Sequence, residues 1–252
     1  MNQLLAAFAW IFDPAHLIGP DAIQVRVGEH IEYTVLTLLI AVVIALPVGF
    51  VIGHTGRGRT LGVQLPAVLR ALPTLGLVIL LALMVGLGLL APLIAMVILA
   101  IPPILAGGYG GLESVDRETI DAARAVGMSE WQVLWKVEVP LGLPLIIGGL
   151  RSATLQTIAT WTVAAILPLG GLGRYIFDAL PVQQYPKMLA GSILVIALAL
   201  AADGMLALLQ RLLNPPGVPT GRPARAREQA KAPRVHPIPA APGDIPPSHN
   251  ER

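Results

Sequence analysis

The chain contains no cysteine, which excludes a disulfide framework, a thiolate metal site and a cysteine nucleophile. Charge is scarce as well. Only 13% of its 252 residues are Asp, Glu, Lys or Arg, against about 25% in soluble domains. Aromatic residues make up 5%, too few to build an aromatic cage around a cation within this chain. No basic residue precedes the apolar Met1–Phe12 segment, and the first is Arg26, so the N-terminus does not read as a cleavable signal peptide. The net charge of +2, not gathered on one face, argues against a nucleic-acid partner. His-Glu-x-x-His and Gly-x-Ser-x-Gly are missing, which leaves an intramembrane enzyme without a site. The histidines (His16, His30, His54, His236 and His249) lack metal-ligand spacing, so no metal and no cofactor is expected on this chain.

Apolar sequence is what the chain has instead. Hydrophobic residues reach 55% and the mean hydropathy is +0.72, a surplus that needs lipid. A bilayer core about 30 Å thick takes about 20 apolar helical residues to cross. Tyr33–Ile52 meets that without a charge, and Ala71–Leu112 is uncharged over enough length for two spans. Gly86, Gly88 and Pro92 mark the bend between those two. A fourth span is expected over Leu143–Leu167 and a fifth over Met188–Leu209. The sequence therefore predicts an all-α membrane protein of about five spans over residues 33–213. Residues 1–32 form an N-terminal extracytoplasmic segment, with Met1–Ile11 too short to cross and better suited to lying along the interface.

Lysine and arginine set the orientation, because loops rich in them stay in the cytoplasm. Arg57 and Arg59 follow the first span, and Arg117, Arg124 and Lys136 follow the third. Arg211, Arg222, Arg225, Arg227, Lys231 and Arg234 follow the fifth, while the other side keeps Arg26, Arg174 and Lys187. The expected arrangement is a multi-pass chain with its N-terminus outside and its C-terminus in the cytoplasm. Beyond residue 214 the chain turns to Pro, Ala and Arg without periodicity. That reads as a disordered cytoplasmic tail, either solvated or weakly attached to anionic lipid.

The charged interval over residues 116–139 predicts two short helices folded into a hairpin. Asp116 and Thr119 offer side-chain oxygens to a first helix through Asp121, Ala122 and Ala123, and Gly127 suits the left-handed residue that ends it. Ser129 with Gln132 forms a capping box for the second helix, and Pro140 marks where that helix stops or kinks.

The stretch DAARAVGMSEWQVLWKVEVPLGLP resembles the signature loop of permease subunits in binding-protein-dependent ABC importers, with Asp121 in place of the usual glutamate. RALPTLGLVILL, LRSATLQTIATWTVAA and GGLGRYIF resemble the branch importing glycine betaine, choline and related osmoprotectants. The resemblance covers roughly residues 30–215. It implies the type I importer permease fold, similar to the methionine importer, with the hairpin as a cytoplasmic coupling element. Asp121, Ala122, Ala123, Gly127, Ser129 and Pro140 would belong to the element that docks on a separate ATP-hydrolysing subunit, which alone would use ATP and magnesium. The other implied partners are a second permease copy or paralogue and an extracytoplasmic solute-binding protein. An importer for an amino acid or sulfonate, or an ATP-independent channel or carrier, stays open as an alternative.

Several weaker features need an interpretation. GHTGRGRT, at residues 53–60, has phosphate-loop spacing with arginine for lysine, but follows a membrane span and reads as a basic turn. The glycines of GGLG, residues 170–173, are either a plain turn or an external loop that meets the delivering protein. Arg151 and Asp203 are embedded in apolar spans at a similar depth; they either pair with each other or reach the interface separately. Trp161 and Tyr175 are the aromatic candidates for the solute pathway. Pro47, Pro73, Pro102 and Pro103 kink spans or act as hinges.

Overall fold

A computed structural model describes residues 2–213. The expected tail, from 214 onward, lies outside the described residues. The described chain is helical throughout: α1 (Asn2–Ile11), α2 (Ile23–Thr55), α3 (Arg59–Arg70), α4 (Thr74–Val85), α5 (Leu90–Glu113), α6 (Arg117–Ala125), α7 (Glu130–Val133), α8 (Val139–Ala164), α9 (Arg174–Ala179) and α10 (Tyr185–Leu213). A single 3₁₀ turn, Pro14–Leu17, separates α1 from α2.

Four helical stretches are long and apolar enough to cross a membrane: Ile23–Thr55, Leu90–Glu113, Glu130–Ala164 and Tyr185–Leu213. The first begins ten residues earlier than the hydropathy of Tyr33–Ile52 indicates, so residues 23–32 belong to its helix and not to a separate N-terminal segment. Its 33 residues reach about 50 Å at 1.5 Å per residue.

The expected second span is divided. α4 has 12 residues, about 18 Å, and does not cross a bilayer core alone. The chain nevertheless traverses the bundle here. The C-terminal ends of α2 and α5 meet, with Arg59 2.6 Å from Glu113, so the intervening residues must return to the far end. α3 packs beside the C-terminal halves of α2 and α5, where Gly62 faces Ile52 and Tyr109. α4 packs beside the N-terminal half of α5, where Val78 joins Ala95, Met96 and Leu99. The return is thus made by two stacked helices broken before Pro73, which has no amide hydrogen for a continuing ladder. Gly86 and Gly88, at φ +99° and +146°, make the expected bend, while Pro92 sits harmlessly in the first turn of α5.

α5 occupies the centre, and two glycine seams let its neighbours approach at backbone distance. On α2, Gly49 and Gly53 meet Leu105, Gly108 and Tyr109, and a Cβ added at Gly53 would stand 2.9 Å from the Tyr109 carbonyl. On the other side Gly107 and Gly111 meet Gly149 and Gly142 of α8. A Cβ at Gly142 would lie 2.6 Å from the Gly111 carbonyl, and one at Gly149 2.6 Å from the Pro103 carbonyl. Both α2 and α5 carry a Gly-x-x-x-Gly repeat, the small-residue pattern that allows close helix contact where lipid supplies no hydrophobic drive. The seams are lined by Ala41, Ala45, Ala100, Leu105 and Ala153. α10 contributes little to this core. Its buried residues are Ala190 and Gly191, and its outer face presents Leu200, Met205 and Leu212.

At the end of the bundle remote from the hairpin, the start of α2 is tied to the segment after α8. The Tyr33 hydroxyl donates to the Leu169 carbonyl at 2.6 Å, and the Glu29 carboxylate accepts from the Gly171 amide at 2.7 Å. His30, fully buried, donates from Nε2 to the Ile158 carbonyl at 3.0 Å and accepts from the Leu172 amide at 3.3 Å. Gly142→Val should destabilise the chain by about 1–3 kcal/mol, the usual range for overpacking, seen as a lower unfolding temperature in detergent. Gly110→Ala, where nothing lies within 4 Å, should leave that temperature unchanged or slightly raised.

Candidate functional site

The hairpin projects from the end of the bundle where α2 and α5 finish. Asp116 caps α6, its carboxylate accepting from the Glu118 amide at 3.0 Å. Thr119, the other expected cap, lies inside the helix. The far end of α6 closes with two reversed hydrogen bonds, Gly127 N to Arg124 O at 2.9 Å and Met128 N to Ala123 O at 3.2 Å. That is a Schellman ending, and it needs the left-handed Gly127, at φ +87°. Two residues later Ser129 Oγ accepts from the Gln132 amide at 3.4 Å while Gln132 Oε1 accepts from the Ser129 amide at 3.0 Å. Arg124 then joins the two helices, donating to both Glu130 oxygens at 2.9 and 3.0 Å and to Asp121 at 3.4 Å.

Pro140 does not stop the second helix. α7 runs through a π-helical turn, Leu134–Glu138, directly into α8, and Glu130–Ala164 forms one continuous helix of 35 residues. The widened turn absorbs the proline. The Val139 amide reaches back to the Leu134 carbonyl, and Pro140 falls in the first turn of α8, where a missing amide is tolerated. The hairpin's second arm is therefore the extension of a membrane helix.

The triplet divides its faces. Asp121 and Ala122 are exposed with Val126, which is 77% exposed, whereas Ala123 is 9% exposed and turned into the chain. A charge at Ala123 would consequently disturb folding, and Ala122 is the alanine open to another protein. Trp131, also exposed, stands edge-on to Trp135, which in turn meets Phe50.

Beneath the hairpin lies a polar cleft of about 460 Å³ between α2, α5 and α6. His54 stands at its wall. Its Nδ1 is 2.5 Å from Glu138 Oε2 and its Nε2 is 3.3 Å from Glu130 Oε2. Read from sequence alone, His54 belongs to a basic turn without a ligand role, and Glu138, which is 2% exposed, is not singled out. The two are 84 residues apart, and no local spacing connects them. A carboxylate eight residues beyond the capped helix start at Glu130, in a largely apolar run, is the available signal.

The other expected residues lie apart from the hairpin. Arg151 and Asp203 are brought together in a two-pronged pair at 2.9 Å for each prong, and Arg151 also donates to Gln210 at 2.9 Å. Gln210 in turn donates to the Pro144 carbonyl at 2.9 Å, so the group fastens α10 to α8. Trp161 and Tyr175 are both 3% exposed and sit in the chain's own packing. Trp161 donates to Thr37 Oγ1 at 3.0 Å, and Tyr175 donates to the Asp21 carbonyl at 2.6 Å. Burial pushes the Tyr175 hydroxyl up to about 12. GGLG is a turn with Gly170 and Gly171 at φ +102° and +78°, pressed against Glu29. The GHTGRGRT segment is the end of α2 and the turn into α3, with Gly56 and Gly58 left-handed. Among the described residues no group of side chains has the makings of a metal site.

This arrangement, an apolar helical bundle with a capped polar hairpin, coincides with a known family. The model of the binding-protein-dependent transport system inner membrane component matches residues 42–215. The chain belongs to that family. Among relatives of this permease is the glycine betaine/carnitine/choline transport system permease protein OpuCB of Bacillus subtilis, 28% identical over 77% of this chain and 89% of the relative. The carnitine transport permease protein OpuCD of Listeria monocytogenes is 30% identical over 74% of this chain and 84% of its own. The osmoprotectant import permease protein OsmW of Salmonella typhimurium is 29% identical over 75% and 91%. In fold, the permease is similar to a chain of the MetNI methionine ABC transporter in its inward-facing conformation, with TM-score 0.67, 22% identity and coverage of 75% and 95%.

Two outcomes follow for this permease. Asp203→Ala leaves Arg151 without a carboxylate inside a span, with Gln210 as its remaining side-chain partner, and should lower the unfolding temperature. Exchanging the two charges should recover part of the lost unfolding temperature. The Tyr175 value lies above the ordinary tyrosine value of about 10, so the folded state favours the neutral hydroxyl. Its contribution is complete below about pH 10 and is lost as pH rises towards about 12. Phenolate absorbance should show a component titrating near pH 12 that is lost in Tyr175→Phe.

Proposed function

We propose that this permease is the membrane-spanning subunit of an ATP-driven importer for quaternary-amine osmoprotectants such as glycine betaine, choline or carnitine. It works by alternating access in the bacterial plasma membrane, with the hairpin and the C-terminus in the cytoplasm and the N-terminus outside. Two such chains, or this chain and a paralogue, form the pore. Each presents its hairpin to a separate ATP-hydrolysing subunit, and an extracytoplasmic binding protein delivers the solute. The chain itself neither binds nor hydrolyses ATP.

One observation carries the reading: a hairpin whose ends are fixed by side-chain and backbone caps, and whose second arm continues into α8. A push on Asp121, Ala122 and Val126 is then delivered to a membrane helix without a flexible joint. The direction of the chain supports the orientation. α2 starts and α10 ends at opposite ends of the bundle, with Arg57, Arg59, Arg117, Arg124 and Lys136 at the hairpin end, as positive charge in cytoplasmic loops requires. The substrate class rests on the osmoprotectant permeases of Bacillus, Listeria and Salmonella described above, which match about three-quarters of the chain. The scarcity of aromatic residues places cation selection chiefly in the delivering protein.

Reconstituted with its ATPase subunit and solute-binding protein, the wild-type chain should accumulate labelled glycine betaine in vesicles only with ATP. Ala122→Asp should abolish uptake while the chain still reaches the membrane. Uptake without the ATPase subunit, or full uptake by Ala122→Asp, would contradict the docking role.

A further inference from the structure

His54 and the two glutamates it touches connect the end of α2 to the hairpin's second arm. Glu138 is buried, and its recorded hydrogen bond is to His54 Nδ1. It lies in the π-helical turn, where the hairpin's second arm becomes α8. Glu130, at the start of that arm, meets His54 Nε2 and is itself gripped by Arg124 of the first arm. The ring thus bridges carboxylates at the two ends of the second arm, hydrogen-bonded to Glu138 and within ion-pair distance of Glu130. The neighbouring charges are already engaged elsewhere: Arg59 from α3 pairs with Glu113 of α5, and Asp121 pairs with Arg124. Arg117, on α6, lines the same cleft.

We propose that His54 is a positioning residue that locks the last turn of α2 to the second arm of the hairpin, and through Glu130 and Arg124 to the first, so that displacement of the hairpin moves the first span together with α8. The position is suited to this. One residue before it, Gly53 lies in backbone contact with Tyr109 of α5, so α2 arrives at the latch already seated against the central helix. Apart from the edge-on contact of Trp135 with Phe50, the hairpin's remaining polar bonds run within itself, so His54 supplies its polar link to α2 among the described residues. A buried carboxylate stripped of its partner is strongly unfavourable, which keeps the latch closed as the hairpin is pushed. This role rests on the importer reading, but the contact itself can be tested without it.

The absence of cysteine allows clean placement of two spin labels, at Val51→Cys on α2 and Val126→Cys on the hairpin, in the full chain in lipid nanodiscs without any ATPase subunit. A single narrow distance distribution is expected. His54→Gln should broaden it or add a second population, and His54→Lys, whose ammonium can donate to both carboxylates, should restore the narrow form. In the reconstituted complex His54→Gln should keep ATP hydrolysis but lose solute movement per ATP, with recovery in His54→Lys. An unchanged distance distribution in His54→Gln would overturn the latch whatever the transport result. A broadened distribution with unaltered solute moved per ATP would overturn its part in coupling. Failure of wild-type uptake to depend on ATP would instead remove the importer reading and leave the latch standing.

Discussion

The whole arrangement depends on how closely three helices approach. α5 is held between α2 and α8 at points where no Cβ can fit, Gly53 against Tyr109 on one side and Gly142 against Gly111 on the other. In lipid, apolar side chains gain little by leaving their surroundings for one another, so dispersion at short range must hold helices together. Glycine on both partners brings backbones within reach, and alanines fill the remaining space. The result is a three-helix centre that behaves as one body, with α4 and α10 leaning on it.

That rigidity gives the hairpin its meaning. A lever is useful only if its shaft does not bend. Here one shaft is α8, continuous with the hairpin through a π-helical turn, and α8 is the helix seated on α5. Asp116 and Gly127 fix the two ends of the other arm, and Ser129 fixes the start of the one that runs into α8. His54 supplies a further attachment, from the end of α2, so the hairpin, which follows α5 and continues into α8, meets all three central helices. On the outer side α10 is fastened by the Arg151–Asp203 pair and by Gln210, polar links that suit a helix with little buried surface. At the remote end Glu29, His30 and Tyr33 clasp the chain after α8. The turn of Gly170 and Gly171 thereby serves as a fixed point of the scaffold.

Much of this was written locally in the sequence. The hairpin could be read because a cap is a short-range contract: Ser129 with Gln132, or Gly127 after a helical stretch, needs no knowledge of the rest of the fold. Apolar length gave three of the crossings directly. The second crossing was misplaced because its first half, α3, is amphipathic and carries polar residues, so hydropathy recorded only the half that is α4. Of the two expectations at Pro140 the stop does not occur, because the π-helical turn before it leaves the proline in the first turn of α8, where its missing amide is tolerated. The role of Ala123 depended on which side of α6 meets the bundle, which the triplet alone does not state. The repeats Gly49-x-x-x-Gly53 and Gly107-x-x-x-Gly111 were open to reading and were the best sequence sign of the core. Contacts such as His54 with Glu138 or Trp161 with Thr37 join residues more than eighty positions apart, and only the fold brings them together.

The central claim is that a stiff handle for an ATP-driven partner emerges from the cytoplasmic end of this bundle. A single cysteine at Ala122 in the otherwise cysteine-free chain tests it most directly, using a membrane-impermeant maleimide on sealed vesicles of either orientation. The account predicts labelling in inside-out vesicles, protection when the ATPase subunit is added, and no labelling in right-side-out vesicles. Labelling from the outer face, or a site that the ATPase subunit leaves fully reactive, would contradict it.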